Sequence, residues 1–324
     1  MLFFSIARKK YYNRTLDNLL QGEANYSIFL TGSFFTDSLY LIDYFYRKNP
    51  RLIVEFYDEG TISYFNEENY LFRYGQHEGV KQSLIRFFCQ GKFKYNYKRL
   101  VKGIHLYAPQ LNHVMPKLVT HGMKRINENE ICQQLLESVG KGIEDVHSVW
   151  YNKRNVLFFP PGRLKGYEDN YDKTYEILSA IIEAVGARKL IVKPHPTMIK
   201  QDPKKLQEFE LEGIYVDNEN YLFESNYEQM ELNKKIFILR NSSIALNPKF
   251  MYGKEPFVIF TFRLYQYYHQ NGEWKTERYA SDLMSIYKDK KRVMIPNSIR
   301  ELQEMVSNTV RSLEGVESNA GYER

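Results

Sequence analysis

The apolar positions of this chain come in short β-branched and aromatic runs that alternate with longer stretches of helical spacing. Ser27 to Leu30 reads as a strand, followed after Thr31-Gly32-Ser33 by a helical stretch around Ser38 to Phe45. Arg51 to Tyr57 is the next strand and stops at Asp58-Glu59-Gly60. Gly79 to Cys89 and Asn129 to Ser138 carry helical spacing, and Ile104 to Tyr107 is a further strand. Strands alternating with helices in this way predict a mainly parallel sheet.

Periodicity weakens over Lys141 to Lys153, with Gly140 and Gly142 nearby, so the sequence places a domain boundary there: 1–150 and 151–312, with a disordered tail over 313–324. The second α/β unit opens with the strand Val156 to Phe159, which ends in Pro160-Pro161-Gly162. From Asp172 the residues Tyr175, Ile177, Leu178, Ile181, Ile182 and Val185 lie on one helical stripe that Gly186 stops. Strands over Leu190 to Val192, Gly213 to Val216, Ile236 to Leu239 and Pro256 to Phe262 follow, with a helix over Tyr221 to about Leu232 and a last helix over Ser298 to Ser312. The strands ending at Phe159, Val192 and Leu239 all run into polar loops, as in a Rossmann-like domain.

Composition narrows the picture only slightly. The net charge of +6 suits an anionic substrate or an anionic membrane surface. Lys92 to Arg99 interleaves basic and aromatic residues, which stack on single-stranded nucleic acid in some proteins, although a solvated or membrane-facing surface is the plainer reading. Cys89 and Cys132 are far apart, which indicates neither a disulfide framework nor a cysteine zinc site and points to a reducing compartment. Met1 to Ala7 is too short for a signal peptide, and no apolar run is long enough to span a bilayer.

The chemistry concentrates at strand ends. In Lys193-Pro194-His195-Pro196 two prolines stiffen the backbone around an imidazole beside an ammonium, which suits a phosphate. Arg240-Asn241-Ser242-Ser243 offers backbone N–H groups and two hydroxyls at a helix start. Asp58 and Glu59 point opposite ways on an extended chain, so one of them can serve as a base, with Gly60 permitting a sharp turn. Glu224 lies near a helix start, where it can accept hydrogen bonds from a ribose. Taken singly, each is also an ordinary turn, cap or solvated acid. The remaining histidines, His105 and His121 among them, show no metal-ligand spacing, so no bound metal is expected. Dinucleotide, Walker, zinc-protease and serine-hydrolase motifs are absent from the sequence.

Taken in order, Asp58-Glu59-Gly60, His195-Pro196 and Ser242-Ser243 resemble the three-part signature of bacterial sialyltransferases of the GT-B fold, and most of all glycosyltransferase family 52, over roughly Ser27 to Phe262. The openings Asp172-Lys173 and Tyr221-Leu222-Phe223-Glu224 are similar to that family's as well. The resemblance implies two Rossmann-like domains facing across a cleft, and sialyl transfer from CMP-sialic acid to a terminal galactose of a capsule or lipooligosaccharide. It implies no metal cofactor, a cytoplasmic enzyme peripheral to the membrane, no nucleic-acid partner, and a homodimer. By position, His195 would meet the departing phosphate of CMP with Lys193 and Pro196 beside it. Asn241, Ser242 and Ser243 would bind that phosphate, Glu224 the ribose, and Gly162 would line the donor side. The base would be Asp58 or Asp172, with Asp169 as competitor because the loop over Pro161 to Tyr171 is long. Met1 to Gln21 supplies only a fragment of the strand–helix unit that the family would place before Ser27. Two alternatives stand beside this reading: another GT-B transferase of surface polymers, using CDP-glycerol or Kdo, and a non-catalytic module that binds nucleic acid or membrane.

Overall fold

The computed structural model describes residues 11, 13–20, 26–31, 36–58, 64, 99–112, 118–130, 134, 146–161, 169–201, 207–210, 213–219, 223–265 and 274–320. The chain divides into two compact units, 1–124 and 125–324. The division precedes the weakly periodic stretch near 150 that the sequence suggests. Arg125 belongs with the second unit because its guanidinium lies against Gly253, where an added Cβ would come within 2.9 Å of it.

The first unit carries a four-stranded, wholly parallel sheet in the order β1 (Ile28–Thr31), β2 (Ile53–Tyr57), β3 (Val101–Leu106), β4 (Val119–Gly122). Helix α1 (Thr36–Lys48) connects β1 to β2. Alternation sorts the strand residues onto two faces. Val54, Phe56, Ile104 and Leu106 are buried, and Phe29 on the same face meets Phe45 of α1. The opposite face keeps Ile28, Leu30, Tyr57 and Val119 exposed. Strand β4 lies beyond the strands expected from sequence. The expected helices over 79–89 and 129–138, like the basic-aromatic run over 92–99, lie largely outside the described residues.

The second unit is a six-stranded parallel sheet built from β5 (Val156–Phe159), β6 (Leu190–Val192), β7 (Tyr215–Val216), β8 (Ile236–Leu239), β9 (Phe257–Phe260) and β10 (Val293–Met294). Its order is β10-β9-β8-β5-β6-β7. Counted from β5, that is the doubly wound order of Rossmann-like sheets, with the topological switch between β5 and β8. Every residue of β5, β6 and β8 is buried, as expected when helices or aromatic turns cover both faces. On one face Val156, Phe158, Ile236 and Ile238 join the core formed by α3 (Asp169–Val185) and α7 (Ile299–Ala320), which pack on each other. On the other, Phe159 and Phe237 enter an aromatic cluster with Phe223 and Tyr227.

Local chemistry explains the element ends. Gly186 stops α3 at φ 81°, a left-handed conformation in which any other residue would be strained. Helix α2 (Val146–Lys153) is closed by Lys235, which is 1% exposed and donates to the carbonyls of Tyr151 (2.6 Å) and Arg154 (3.0 Å) and to Asn155 Oδ1 (3.0 Å). Ser298 caps α7, its Oγ accepting from the Glu301 N–H at 3.2 Å while Glu301 accepts from the Asn297 N–H at 2.8 Å.

Several expectations need correcting. The predicted disordered tail is wrong in its first part: α7 continues through Gly315 to Ala320, and the Lys189–Glu314 ion pair ties its extension to the sheet side. The segment expected as a helix over 221–232 instead forms 3₁₀ turns at Phe223–Asn226 and Leu232–Lys234, because Phe223 and Tyr227 are both drawn into the aromatic layer. Helix α6 (Trp274–Ile286) and the short edge strand β10 carry too little pattern to be read from sequence.

The α3–α7 contact should dominate the stability of the second unit. Leu302 is fully buried there, so Leu302→Ala is expected to cost about 2–5 kcal/mol in chemical denaturation, against about 1 kcal/mol for Ser298→Ala, which removes only the cap.

Candidate functional site

The strand order of the second unit decides which loops meet. Strands β6 and β8 both pair with β5, one on each side and both parallel to it. Their carboxyl ends therefore deliver Lys193-Pro194-His195-Pro196 and Arg240-Asn241-Ser242-Ser243 to flanking positions at the end of β5, the edge where open α/β sheets bind ligands.

His195 is exposed at this edge, and Pro196 takes the first position of α4 (Pro196–Gln201), where its missing N–H costs nothing. The His195 carbonyl accepts from the Met198 N–H at 2.8 Å, so the backbone bearing the imidazole is anchored by the first turn of α4. Partial burial lowers the His195 pKa from the ordinary imidazole value, which leaves the ring neutral at neutral pH.

Lys193 is drawn inward at the end of β6. It is 7% exposed, its ammonium lies 3.2 Å from Asp217 and donates to the Glu219 carbonyl at 2.6 Å. Burial lowers its pKa, and the Asp217 carboxylate opposes that shift. Asp217, 1% exposed, also accepts from Tyr151 Oη at 2.5 Å and from the Glu219 N–H at 3.1 Å. The ammonium is thus a tether from the end of β6 to the chain leaving β7, beneath the loop that presents His195. Lys193, expected from sequence to stand beside the phosphate, is in this structure paired with Asp217.

The chain leaving β7 leads to the Phe223–Asn226 turn, and there Glu224 accepts from Asn247 Nδ2 at 2.7 Å. Tyr227 Oη donates to the Ile244 carbonyl at 3.1 Å, and Tyr279 Oη donates to the Ser242 carbonyl at 2.5 Å. Burial holds both phenols well above their ordinary pKa, so they remain donors. The serine loop is therefore held from beneath by two tyrosines and from the side by Glu224. Ser242 is extended (φ −161°) and its Oγ accepts from the Ile244 N–H at 3.4 Å, capping a short 3₁₀ turn, Ser243–Ala245, that leads into α5 (Asn247–Tyr252). Asn241 is exposed, and both serines are half-buried. The helix expected to start directly at Ser243 begins one 3₁₀ turn later.

Asp172 is exposed in the first turn of α3, and Lys173 beside it pairs with Glu176. Asp169 opens the same helix. Gly162, Glu59 and Gly60 lie outside the described residues. In the first unit the Asp58 carboxylate accepts from Tyr64 Oη and, at 3.2 Å, from the Tyr107 N–H. Tyr64 is fully buried, and burial together with Asp58 raises its pKa, keeping the phenol protonated and donating. Sequence reasoning missed this group and also Asp217, since an isolated Tyr or Asp carries no signal until the fold gives it a partner.

The fold and site define an α/β protein whose second unit has Rossmann-like strand order. No protein-family profile matches the chain, and no curated protein matches its sequence. Among solved structures, the chain is similar to the N-terminal domain of trehalose-6-phosphate phosphatase from Candida albicans, at 8% identity and a TM-score of 0.38, over 94% of this chain and 70% of that one. Among the described residues no helix is long and apolar enough to cross a membrane.

The tether generates a stability prediction. Asp217→Asn leaves the Lys193 ammonium enclosed without its carboxylate and should lower unfolding free energy by about 3–5 kcal/mol, whereas Lys193→Met removes the charge together with its need for a partner and should cost less. Urea unfolding of the two variants measures the difference.

Proposed function

We propose that this protein is a sialyltransferase of the GT-B type, most like glycosyltransferase family 52, that uses CMP-sialic acid as donor. The observation that carries the reading is the placement of His195 and of Ser242-Ser243 on either side of the β5 end, in the order that the sequence resemblance requires. Between them, backbone N–H groups, two hydroxyls and an imidazole suit the phosphate of a departing nucleotide. Glu224, joined to the serine loop through Asn247, is the group that would accept from the ribose.

The reaction is a single inverting displacement. An acceptor galactose hydroxyl attacks the anomeric carbon of the sialyl group, the bond from that carbon to the phosphate oxygen of CMP breaks, and the hydroxyl proton passes to a carboxylate. The negative charge that remains on CMP is met by His195 and the serine loop. Of the two candidate bases, Asp172 is solvent-exposed, while Asp58 is oriented by Tyr64 and the Tyr107 N–H. The glycan acceptor, the cytoplasmic setting and the association with the membrane surface follow from the same resemblance.

His195 rests neutral at neutral pH, so an anionic phosphate beside it favours uptake of a proton. CMP affinity should therefore strengthen as pH falls from ~7.5 to ~6, by up to about tenfold per pH unit, and the slope should vanish in His195→Ala. In transfer assays His195→Ala should lose roughly 10²- to 10⁴-fold in turnover with the fold intact. A thermal-shift panel of CMP, CDP, UDP and GDP discriminates among readings. Selective stabilisation by CMP supports sialyl transfer, preference for CDP moves the protein to the polymer transferases, and no nucleotide response sinks the enzyme reading. Asp58→Asn and Asp172→Asn then identify the base as the variant that loses turnover while keeping CMP affinity.

A further inference from the structure

On the open face of the first-unit sheet, three side chains that the transfer reaction does not use converge. Strand pairing places Glu55 opposite Gly103 and Gly103 opposite Val119, and one row further along places Tyr57 opposite His105 and His105 opposite His121. Glu55, His105 and His121 thus project from three neighbouring strands on one face, toward the carboxyl ends. Glu55 Oε2 lies 2.7 Å from His105 Nε2, and the His105 and His121 rings stack with centroids 4.7 Å apart. One ligand atom from each of the three residues lies within 4.8 Å of the others.

Gly103 makes the convergence possible. Glu55 and His121 stand two strands and one same-face row apart, roughly 12 Å between their backbones, with Gly103 on the strand between them. A Cβ at this position would come within 3.1 Å of Glu55 Oε1 and 3.3 Å of His121 Nε2. The two side chains therefore lean into the space that the missing side chain leaves. Glu55 is 12% exposed and His105 30%, which gives the cluster a sheltered floor and an open side toward solvent. Two imidazoles and one carboxylate form a donor set that favours borderline divalent transition ions over magnesium or calcium.

We infer that Glu55, His105 and His121 form a three-ligand site for a divalent transition metal, zinc by the preference of the donor set, with a further coordination position facing solvent. Tetrahedral zinc holds ligand atoms about 3.3 Å apart, so the observed grouping closes on an ion with about 1.5 Å of side-chain movement or less. The ion takes the place of the Glu55–His105 hydrogen bond, with Oε2 and Nε2 both turned to the metal. The ion's open position takes a water or another oxygen donor. The site stands independently of the sialyl-transfer reading, which requires no metal.

Calorimetric titration of the chelator-treated full-length chain with Zn²⁺, repeated optically with Co²⁺, tests the inference. The expected result is one equivalent bound, weakened at least roughly tenfold in His105→Ala and in His121→Ala, with the Co²⁺ visible spectrum lost in the double variant. His121 is half-buried on the open face, so His121→Ala should unfold close to the temperature of the parent without metal, which separates loss of a ligand from loss of fold. Gly103→Ala should weaken binding as well, by pushing Glu55 and His121 apart. Stoichiometric Zn²⁺ binding that survives in the double variant overturns the site, and so does a wild-type chain that binds no Zn²⁺ at concentrations up to ~100 µM, well above the range of built zinc sites.

Discussion

A parallel strand cannot hairpin back onto its neighbour, so each strand of a parallel sheet must be fed by a crossover, and crossovers on both sides cover both faces. In the second unit this constraint centres on β5, which is buried along its whole length and pairs with β6 on one side and β8 on the other. Because the chain first builds outward to β7 and then returns to lay β8 beside β5, the loops after β6 and β8 emerge next to one another. Two segments well separated in sequence become neighbours at the switch point for purely topological reasons.

Topology alone places loops only approximately, and buried polar contacts do the rest. Lys193, Asp217 and Tyr151 connect the end of β6, the exit of β7 and helix α2. Tyr227 and Tyr279 hold the serine loop through its carbonyls, and Asn247 connects it to Glu224. Lys193, Asp217 and the three tyrosines are enclosed, so each is costly to leave without its partner, and the loops they hold are constrained accordingly. The exposed groups, His195 and Asn241, are then presented on a backbone that the buried groups have oriented. The first unit repeats the device with a fully buried phenol, Tyr64, oriented toward Asp58.

Hydrophobic runs made the central strands legible. Val156–Phe159, Leu190–Val192 and Ile236–Leu239 coincide with β5, β6 and β8 because a strand buried on both faces must be apolar throughout. The stripe of α3 and its stop at Gly186 were equally plain. Edge strands such as β10 and the half-exposed β4 carry no such signature, since one face or one edge meets solvent and tolerates any residue. The segment after Tyr221 misled because Phe223 and Tyr227 have helical spacing, yet an aromatic layer drew them into a 3₁₀ turn.

By itself, the sequence determined that the protein is α/β with parallel sheets, where the central strands run, and that His195 and Ser242-Ser243 stand at strand ends, since these follow from local hydrophobicity, prolines and capping chemistry. Only the tertiary structure decided that both loops flank one strand, that Lys193 is tethered to Asp217, and that Glu55, His105 and His121 meet above Gly103. Each of these depends on strand order and register, which pair residues distant along the chain and leave no periodic trace in it.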